Sequence, residues 1–114
     1  AEPLVEALKG GADIVVTGRV ADPSLAVAPC IYEHEWSLTD YDRIAQATIA
    51  GHLIECGTQV TGGIETDWLE LADPVNLGFP VVEVARDGSF VVTKASGTGG
   101  KVDLLTVKEQ FLYE

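Results

Sequence analysis

The sequence has no methionine and little positive charge. Its 114 residues contain 7 lysines and arginines against 18 aspartates and glutamates, which gives a formal net charge of −11. Nucleic-acid phosphates and anionic lipid head groups repel such a chain at long range, so neither is expected as a partner. Because no methionine opens the chain, we expect an internal segment whose partners include the missing parts of its own protein.

Long apolar runs and a cysteine framework are missing as well. No apolar stretch approaches the roughly 20 residues that a membrane-spanning helix needs, and no signal-peptide pattern is present. The two cysteines, Cys30 and Cys56, have no framework spacing, which fits a reducing compartment. We therefore expect a soluble, cytoplasmic protein with reduced cysteines. With 46% hydrophobic residues, residues 1–114 are expected to be part of a single domain.

The first part of the sequence predicts a helix followed by a strand. Apolar residues at helical spacing follow Pro3, a favourable first-turn residue, and Gly10-Gly11 provides a stop signal. The run from Asp13 to Thr17 is apolar, short and rich in β-branched residues. It predicts a strand that is buried on both faces.

Two more helices are expected next. Asp22-Pro23-Ser24 combines an N-cap acid with a proline in the first turn, and Pro29 should kink or end the helix that begins there. Ser37 to Asp40 resembles a capping box, and one apolar helical face then continues as far as Gly57. The second of these two helices has the clearer pattern.

The second half predicts a loop, a hairpin and a last helix. Little periodicity is present in 58–79, apart from one expected helical turn near Trp68. The β-rich runs 80–84 and 90–93 flank an Asp-Gly turn, which indicates two antiparallel strands. The apolar helical face that begins after Lys101 is expected to meet a partner segment or a second copy. The fold class is α/β or α+β, with a mixed sheet, a β-hairpin and flanking helices in an incomplete domain.

Three polar, glycine-containing turns, at 17–24, 58–63 and 96–101, are candidates for binding an anion or a substrate. Two of them are expected to run from a strand into a helix, where unpaired N–H groups and a partial positive charge point outward. Three of the few basic residues, Arg19, Lys94 and Lys101, lie in or beside these two turns. The candidate residues are Thr17, Gly18, Arg19, Asp22, Thr61, Gly62, Gly63, Gly97, Thr98, Gly99, Gly100 and Lys101.

Structural explanations of the same residues remain open. Glycine-rich turns are ordinary connections between strands and helices, and 96–101 lacks the full spacing of a phosphate-binding P-loop. Arg19 and Asp22 can form a local salt bridge in which Asp22 is only a helix cap. Arg19 and Lys101 can share a pocket only if the strands that precede their turns are parallel and near each other.

Histidine and cysteine side chains occur in two pairs four residues apart, His52 with Cys56 and Cys30 with His34. This spacing lets two side chains hold one metal ion, but a zinc site needs more ligands. A core histidine and a buried thiol are the more common explanation of such a pair. We therefore predict no metal site. A Cys-His nucleophile pair would lack an orienting acid and stays a minor alternative.

Five segments together carry a specific pattern in one order along the chain: 11–25, 51–57, 59–63, 76–80 and 97–110. In that order they resemble the acyclic terpene utilisation (AtuA) family, and the resemblance covers nearly the whole chain. It implies a role in the breakdown of branched acyclic terpenoids such as citronellol and geraniol, which proceeds through acyl-CoA thioesters.

The resemblance suggests a ligand for the glycine turns, because coenzyme A carries phosphates. CoA is expected only as part of the substrate, with no other cofactor. The whole protein is then an enzyme that acts on an acyl-CoA or carboxylic-acid intermediate, and its catalytic residues and reaction type stay unassigned. The alternative is a non-catalytic binding or assembly subunit of a catabolic enzyme complex. In either case we expect a small-molecule ligand and a homo-oligomer.

Overall fold

The computed structural model describes residues 1–114 and contains α-helices and one two-stranded sheet. Short helical turns also lie within the loop that precedes the sheet, at Gln59–Gly63 and Trp68–Glu70. The architecture is the mixed α/β type, with a hairpin and flanking helices, that the sequence predicts. In chain order the main elements are α1 (Glu2–Lys9), α2 (Ser24–His34), α3 (Tyr41–Ile54), β1 (Pro80–Val84), β2 (Phe90–Lys94) and α4 (Leu104–Tyr113).

The chain divides into two compact units, and each is described by itself. The first unit comprises Ala1–Gly51 and Val84–Phe90, and the second comprises His52–Glu83 and Val91–Glu114. The expectation that residues 1–114 are part of a single domain stays a prediction. None of the helices combines the length and the apolar character that crossing a membrane requires.

The core of the first unit forms between α1 and α2. Each helix places apolar residues three or four positions apart, so that they share one face. Burying a large aliphatic side chain of this kind contributes about 1.5–3 kcal/mol to the free energy of unfolding. The buried residues of this core are Leu4, Val5, Val27, Ala28, Ile31, Trp36 and Ala47.

Polar contacts in the first unit join the end of α2 to the hairpin turn. Glu35 ends the helix in a left-handed conformation, with φ 56°. The indole N–H of Trp36 donates to the carbonyl oxygen of Arg86 at 2.8 Å, and His34 Nε2 lies 3.1 Å from the carbonyl oxygen of Val84. The His34 and Trp36 rings stack with their centroids 5.2 Å apart. These contacts give the backbone carbonyl groups of Val84 and Arg86 side-chain partners.

The segment Asp13–Thr17 is not a strand, and the prediction of a buried strand is wrong here. It has no regular secondary structure, and the side chains of Ile14 and Val16 are 84% and 90% exposed. The sheet contains β1 and β2 alone. A strand requires inter-strand hydrogen bonds, and no neighbouring strand supplies them to this segment. Because no strand precedes Thr17, the Thr17–Ser24 turn does not connect a strand to a helix either.

The helix α2 continues through Pro29 to His34, so of the two expected outcomes, a kink or an end, the end does not occur. Proline removes the bond that its own N–H would make to the carbonyl four residues earlier. That earlier residue, Leu25, is 66% exposed. Water can replace a missing backbone donor where a helix faces solvent.

Other elements agree with the sequence prediction. Gly11 follows α1 with φ 81°, and a short helical turn occurs at Trp68–Glu70. The hairpin has its two strands where expected, with Gly88 at φ 94° in the connecting turn.

The segment predicted as a capping box, Ser37 to Asp40, forms a turn ahead of α3. In this turn Asp40 Oδ2 accepts from the N–H of Ser37 at 3.1 Å.

The second unit has a smaller apolar core and a buried polar residue that links two helices. Leu53, Val60 and Leu71 are buried there. Gln110 of α4 is fully buried, and its Nε2 donates to the carbonyl oxygens of His52 at 2.9 Å and Glu55 at 3.4 Å. One amide side chain thus satisfies carbonyl groups at the C-terminal end of α3, which have no partner within that helix.

Candidate functional site

The first candidate turn lies in the first unit and is largely open to solvent. The side chain of Arg19 is 87% exposed, and its Nη2 lies 3.4 Å from Asp22 Oδ1. Thr17 Oγ1 donates to the carbonyl oxygen of Gly18 at 3.0 Å. The structure therefore brings Arg19 and Asp22 together as the local ion pair that the sequence left open.

Asp22 does not cap α2, and this part of the sequence prediction is wrong. Pro23 occupies the N-cap position, and no side chain makes a capping hydrogen bond to the helix. The first turn of α2 also carries no acidic residue. Asp22 is drawn instead to the guanidinium group of Arg19. The N-terminal end of α2 consequently keeps its partial positive charge without a carboxylate beside it.

An apolar groove of about 130 Å³ lies in the same unit as this turn. Its walls come from α1, from the exposed segment that precedes the turn, and from the first half of α2. It is therefore an apolar surface that includes part of the first half of α2, in the same unit as the cationic side chain of Arg19. The lining residues are Leu4, Leu8, Val15, Leu25, Ala28 and Pro29.

A second cleft of the first unit, of about 470 Å³, contains none of the candidate residues. Its lining contains three carboxylates and one guanidinium, so the net negative charge of the cleft disfavours binding of an anion. The lining residues are Thr39, Asp40, Tyr41, Asp42, Arg43 and Asp87.

The other two candidate turns meet in the second unit. The N–H of Lys101 donates to the carbonyl oxygen of Thr61 at 3.1 Å, and Thr61 Oγ1 donates to the carbonyl oxygen of Gly78 at 2.7 Å. Gly100 is packed against the carbonyl groups of Thr61 and Leu77, which leave no room for a Cβ atom. Backbone atoms of neighbouring loops therefore fill the space around Gly100.

Within the third turn, the basic side chain of Lys94 holds the loop closed. Its Nζ donates to the carbonyl oxygen and to Oγ1 of Thr98, at 2.8 and 2.9 Å. Gly97 adopts φ 74°, a conformation that strongly favours glycine. Gly99 lies against the backbone of Asp73, where a Cβ would clash. Gly62 and Gly63 are also confined, by the side chain of Leu71 and by the backbone of Thr58 respectively.

Lys101 is engaged by two carboxylates. Its Nζ forms an ion pair with Glu65, whose side chain is fully buried, and lies 3.3 Å from Asp103 Oδ2. Contact with Glu65, reinforced by Asp103, raises the pKa of Lys101. Neither oxygen of Glu65 accepts a hydrogen bond of ordinary geometry, so the ion pair is the main compensation for burying this charge.

The N-terminus of α4 is occupied by its own cap. Asp103 Oδ1 accepts from the N–H groups of Leu105 at 2.9 Å and Thr106 at 3.0 Å, and Thr106 Oγ1 accepts from the N–H of Asp103. These reciprocal bonds form a capping box. The bond from the Thr106 N–H, reinforced by Lys101, lowers the pKa of Asp103. An anion at this helix end would have to compete with Asp103.

Replacing Asp103 with alanine should lower the free energy of unfolding by about 1 kcal/mol at neutral pH, a typical value for an N-cap. Because folding lowers the pKa of Asp103, its stabilisation is present above the pKa of the unfolded chain and is lost as the pH falls through the lower, folded pKa. Urea unfolding at several pH values checks this. A difference between wild type and Asp103→Ala that does not shrink in acid would contradict the assignment.

The pair His52 and Cys56 gains two neighbours that the sequence did not suggest. Glu55 lies beside Cys56 in the chain, and Glu114 comes from the end of α4. His52 Nδ1 lies 3.1 Å from Glu114 Oε2, and ligand atoms of Glu55, Cys56 and Glu114 lie within 4.8 Å of one another. No local pattern predicts this arrangement, since 58 residues separate Cys56 from Glu114.

The elements define a mixed α/β protein with one two-stranded sheet and flanking helices. The chain matches the family described as acyclic terpene utilisation family protein AtuA over residues 1–114, and it belongs to this family. The resemblance predicted from its motifs is therefore confirmed. No curated protein and no solved structure matches the chain.

Proposed function

We propose that the protein acts in the breakdown of acyclic terpenoids, as an enzyme whose substrate is a branched acyl-CoA or the corresponding carboxylic acid. The family name supports the terpenoid context. The observation that carries the substrate class is the pairing, within the first unit, of an apolar groove with the exposed cation Arg19. A branched hydrocarbon chain with an anionic end has matching chemistry.

The apolar part of the ligand would contact the groove between α1 and α2. Leu25 and Val15 are two of its walls, and both are partly exposed although they are apolar. Covering such surface removes it from water, which contributes about 25 cal/mol per Å². A branched hydrocarbon chain has methyl groups that can cover this apolar surface, and it has no polar groups that need hydrogen bonds.

The anionic part would be held by Arg19 and by the N-terminal end of α2. The guanidinium group can form paired hydrogen bonds with a carboxylate or a phosphate. Its present partner Asp22 is a partly exposed surface carboxylate, and such ion pairs are weak. An incoming phosphate can therefore replace Asp22 at small cost.

The proposal gives Lys101 a structural role in place of the anion contact expected from the sequence. Glu65 and Asp103 already balance its charge. The strand expected before Arg19 is absent, so parallel strands no longer support a site shared by Arg19 and Lys101. Catalytic residues are not assigned.

One feature favours the alternative, a non-catalytic assembly subunit. The segment with Ile14 and Val16 exposes two β-branched side chains next to unpaired backbone, which is a surface suited to another polypeptide. Mass spectrometry of metabolites retained by the full-length protein distinguishes the two functions. A retained CoA thioester supports the enzyme, whereas retention of protein partners without any acyl compound supports the assembly subunit.

In the full-length protein, Arg19→Ala should weaken binding of a branched acyl-CoA at least about tenfold, because charge-assisted hydrogen bonds contribute about 1.5–3 kcal/mol. Isothermal titration calorimetry measures the affinity. Lys9→Ala is the matched control, since Lys9 forms an ion pair with Glu6 of the same spacing and length. Equal affinities in the two variants would show that Arg19 is only the partner of Asp22.

A second variant tests the groove separately from the charge. Leu25→Asn should weaken binding of the branched acyl-CoA about fivefold, as expected for about 1 kcal/mol of lost apolar contact. Binding of free CoA, which has no acyl chain, should not change. The groove has no part in binding if both ligands are affected equally.

A further inference from the structure

Four side chains with metal-binding atoms lie together in the second unit, where the end of α4 meets the end of α3. The carboxylates of Glu55 and Glu114 and the thiol of Cys56 offer atoms within 4.8 Å of one another. His52 Nδ1 lies 3.1 Å from Glu114 Oε2. We propose that His52, Glu55, Cys56 and Glu114 bind a zinc ion. The inference does not depend on the proposed terpenoid function.

The types of donor atom in the cluster indicate which metal ion it would bind. Zinc in proteins is bound by imidazole nitrogen, thiolate sulfur and carboxylate oxygen, commonly with four ligands in a tetrahedron. Magnesium and calcium take oxygen ligands, so a site with sulfur and nitrogen disfavours both. The cluster contains each of the three zinc donor types and supplies four side chains. It differs in this respect from an ordinary group of acidic residues on a surface.

Two carboxylates, those of Glu55 and Glu114, lie close together in the cluster, in a chain whose net charge is −11. Like charges at this separation repel each other. A divalent cation bound between the two carboxylates would offset this repulsion.

The surrounding fold holds the ligands near each other. Gln110 donates to the backbone carbonyls of His52 and Glu55, and Glu114 lies one helical turn after Gln110. This buried contact keeps the end of α4 next to the end of α3. The side chain of Glu114 is only 9% exposed, so its carboxylate faces protein groups of the cluster.

The distances need only a small adjustment. Zinc bonds of about 2.0–2.3 Å place tetrahedral ligands about 3.3–3.8 Å apart. The ligand atoms of Glu55, Cys56 and Glu114 lie within 4.8 Å of one another, and His52 Nδ1 lies 3.1 Å from Glu114 Oε2, so rotation of side chains can bring them to this range. Binding would release the proton of the thiol, since a cysteine that binds a metal is deprotonated.

The test uses the full-length protein, stripped with a chelator and titrated with Zn²⁺ against a zinc-binding dye. A parallel titration with Co²⁺ follows the sulfur-to-cobalt charge-transfer absorption, which reports thiolate coordination. We expect stoichiometric binding of Zn²⁺ and a charge-transfer band. Cys56→Ala should remove the band and weaken Zn²⁺ binding at least about tenfold, given that even changes outside the ligand shell cost that much.

Cys30→Ala is the matched control, because Cys30 is the other cysteine and lies in the first unit. It should leave the band and the affinity unchanged. Glu55→Gln should weaken Zn²⁺ binding and keep the band, which separates loss of a ligand from loss of the fold. The proposal is overturned if the wild type binds Zn²⁺ no more tightly than Cys56→Ala, or if the band persists in Cys56→Ala.

Discussion

Replacing Gly100 with alanine should destabilise the second unit by about 3 kcal/mol, the upper end of what overpacking usually costs. A Cβ atom at this position would clash with the carbonyl oxygens of Thr61 and Leu77. Both are backbone atoms, so neither can rotate away. Shifting the loops would also disturb the bond from the Lys101 N–H to the Thr61 carbonyl and the bond from the Gly100 N–H to the Leu77 carbonyl.

Unfolding in urea, followed by circular dichroism of the full-length protein, measures this loss. Gly18→Ala is the control, because a Cβ at Gly18 would meet no atom within 4 Å. It should unfold close to the wild-type midpoint. Similar midpoints for the two variants would mean that Gly100 is not confined as described.

The glycine-rich turns show which features of the structure can be predicted from local sequence and which cannot. Their positions follow from the residues themselves, since glycine marks places where the backbone turns or approaches another group closely. The partners of Gly100 do not follow, because Thr61 lies 39 positions earlier in the chain and no periodic pattern relates the two. A glycine-rich turn in the sequence is therefore compatible with an anion site and also with close packing of one backbone segment against another.

Replacing Lys101 with methionine should lower the unfolding midpoint temperature by roughly 10 °C, an effect well above that of most surface substitutions. The variant leaves the carboxylate of Glu65 buried without its ion-pair partner. Removing one partner is far more costly than removing both, because the remaining charge keeps its full desolvation penalty.

The double variant Lys101→Met with Glu65→Gln isolates this cause. It removes the buried charge together with its partner, so most of the lost midpoint temperature should return. Lys108→Met serves as a control on the exposed side of α4 and should leave the midpoint temperature near that of the wild type. Failure of the double variant to recover would show that Lys101 stabilises the fold through its packing or through Asp103 instead.

Elements with strong local signals were predictable. The hairpin has an Asp-Gly turn between two β-rich runs, and α4 has a continuous apolar spacing, so both appear where the sequence places them. The segment Asp13–Thr17 shows the opposite case. Its β-branched composition is real, but a strand also depends on a neighbour, and composition contains no information about that neighbour.

The charged clusters were the least predictable part of the candidate sites. Glu65 was not singled out because a lone glutamate in a loop ordinarily faces solvent. Glu114 joins His52 and Cys56 only through the packing of α4 on the end of α3. The choice of Asp22 as a cap failed for a related reason, since Arg19 competes for the same carboxylate. Each error concerns which partner a polar side chain finds once the chain has folded.

The exposed segment with Ile14 and Val16 has a consequence for the colloidal behaviour of the protein. Short, apolar, extended stretches with unpaired backbone are where separate molecules adhere to one another. The net charge of −11 opposes that adhesion by mutual repulsion. At an ionic strength of 0.15 M the repulsion reaches only about 8 Å, so dilute buffers keep molecules apart better than concentrated ones. Solubility should therefore fall as salt is added.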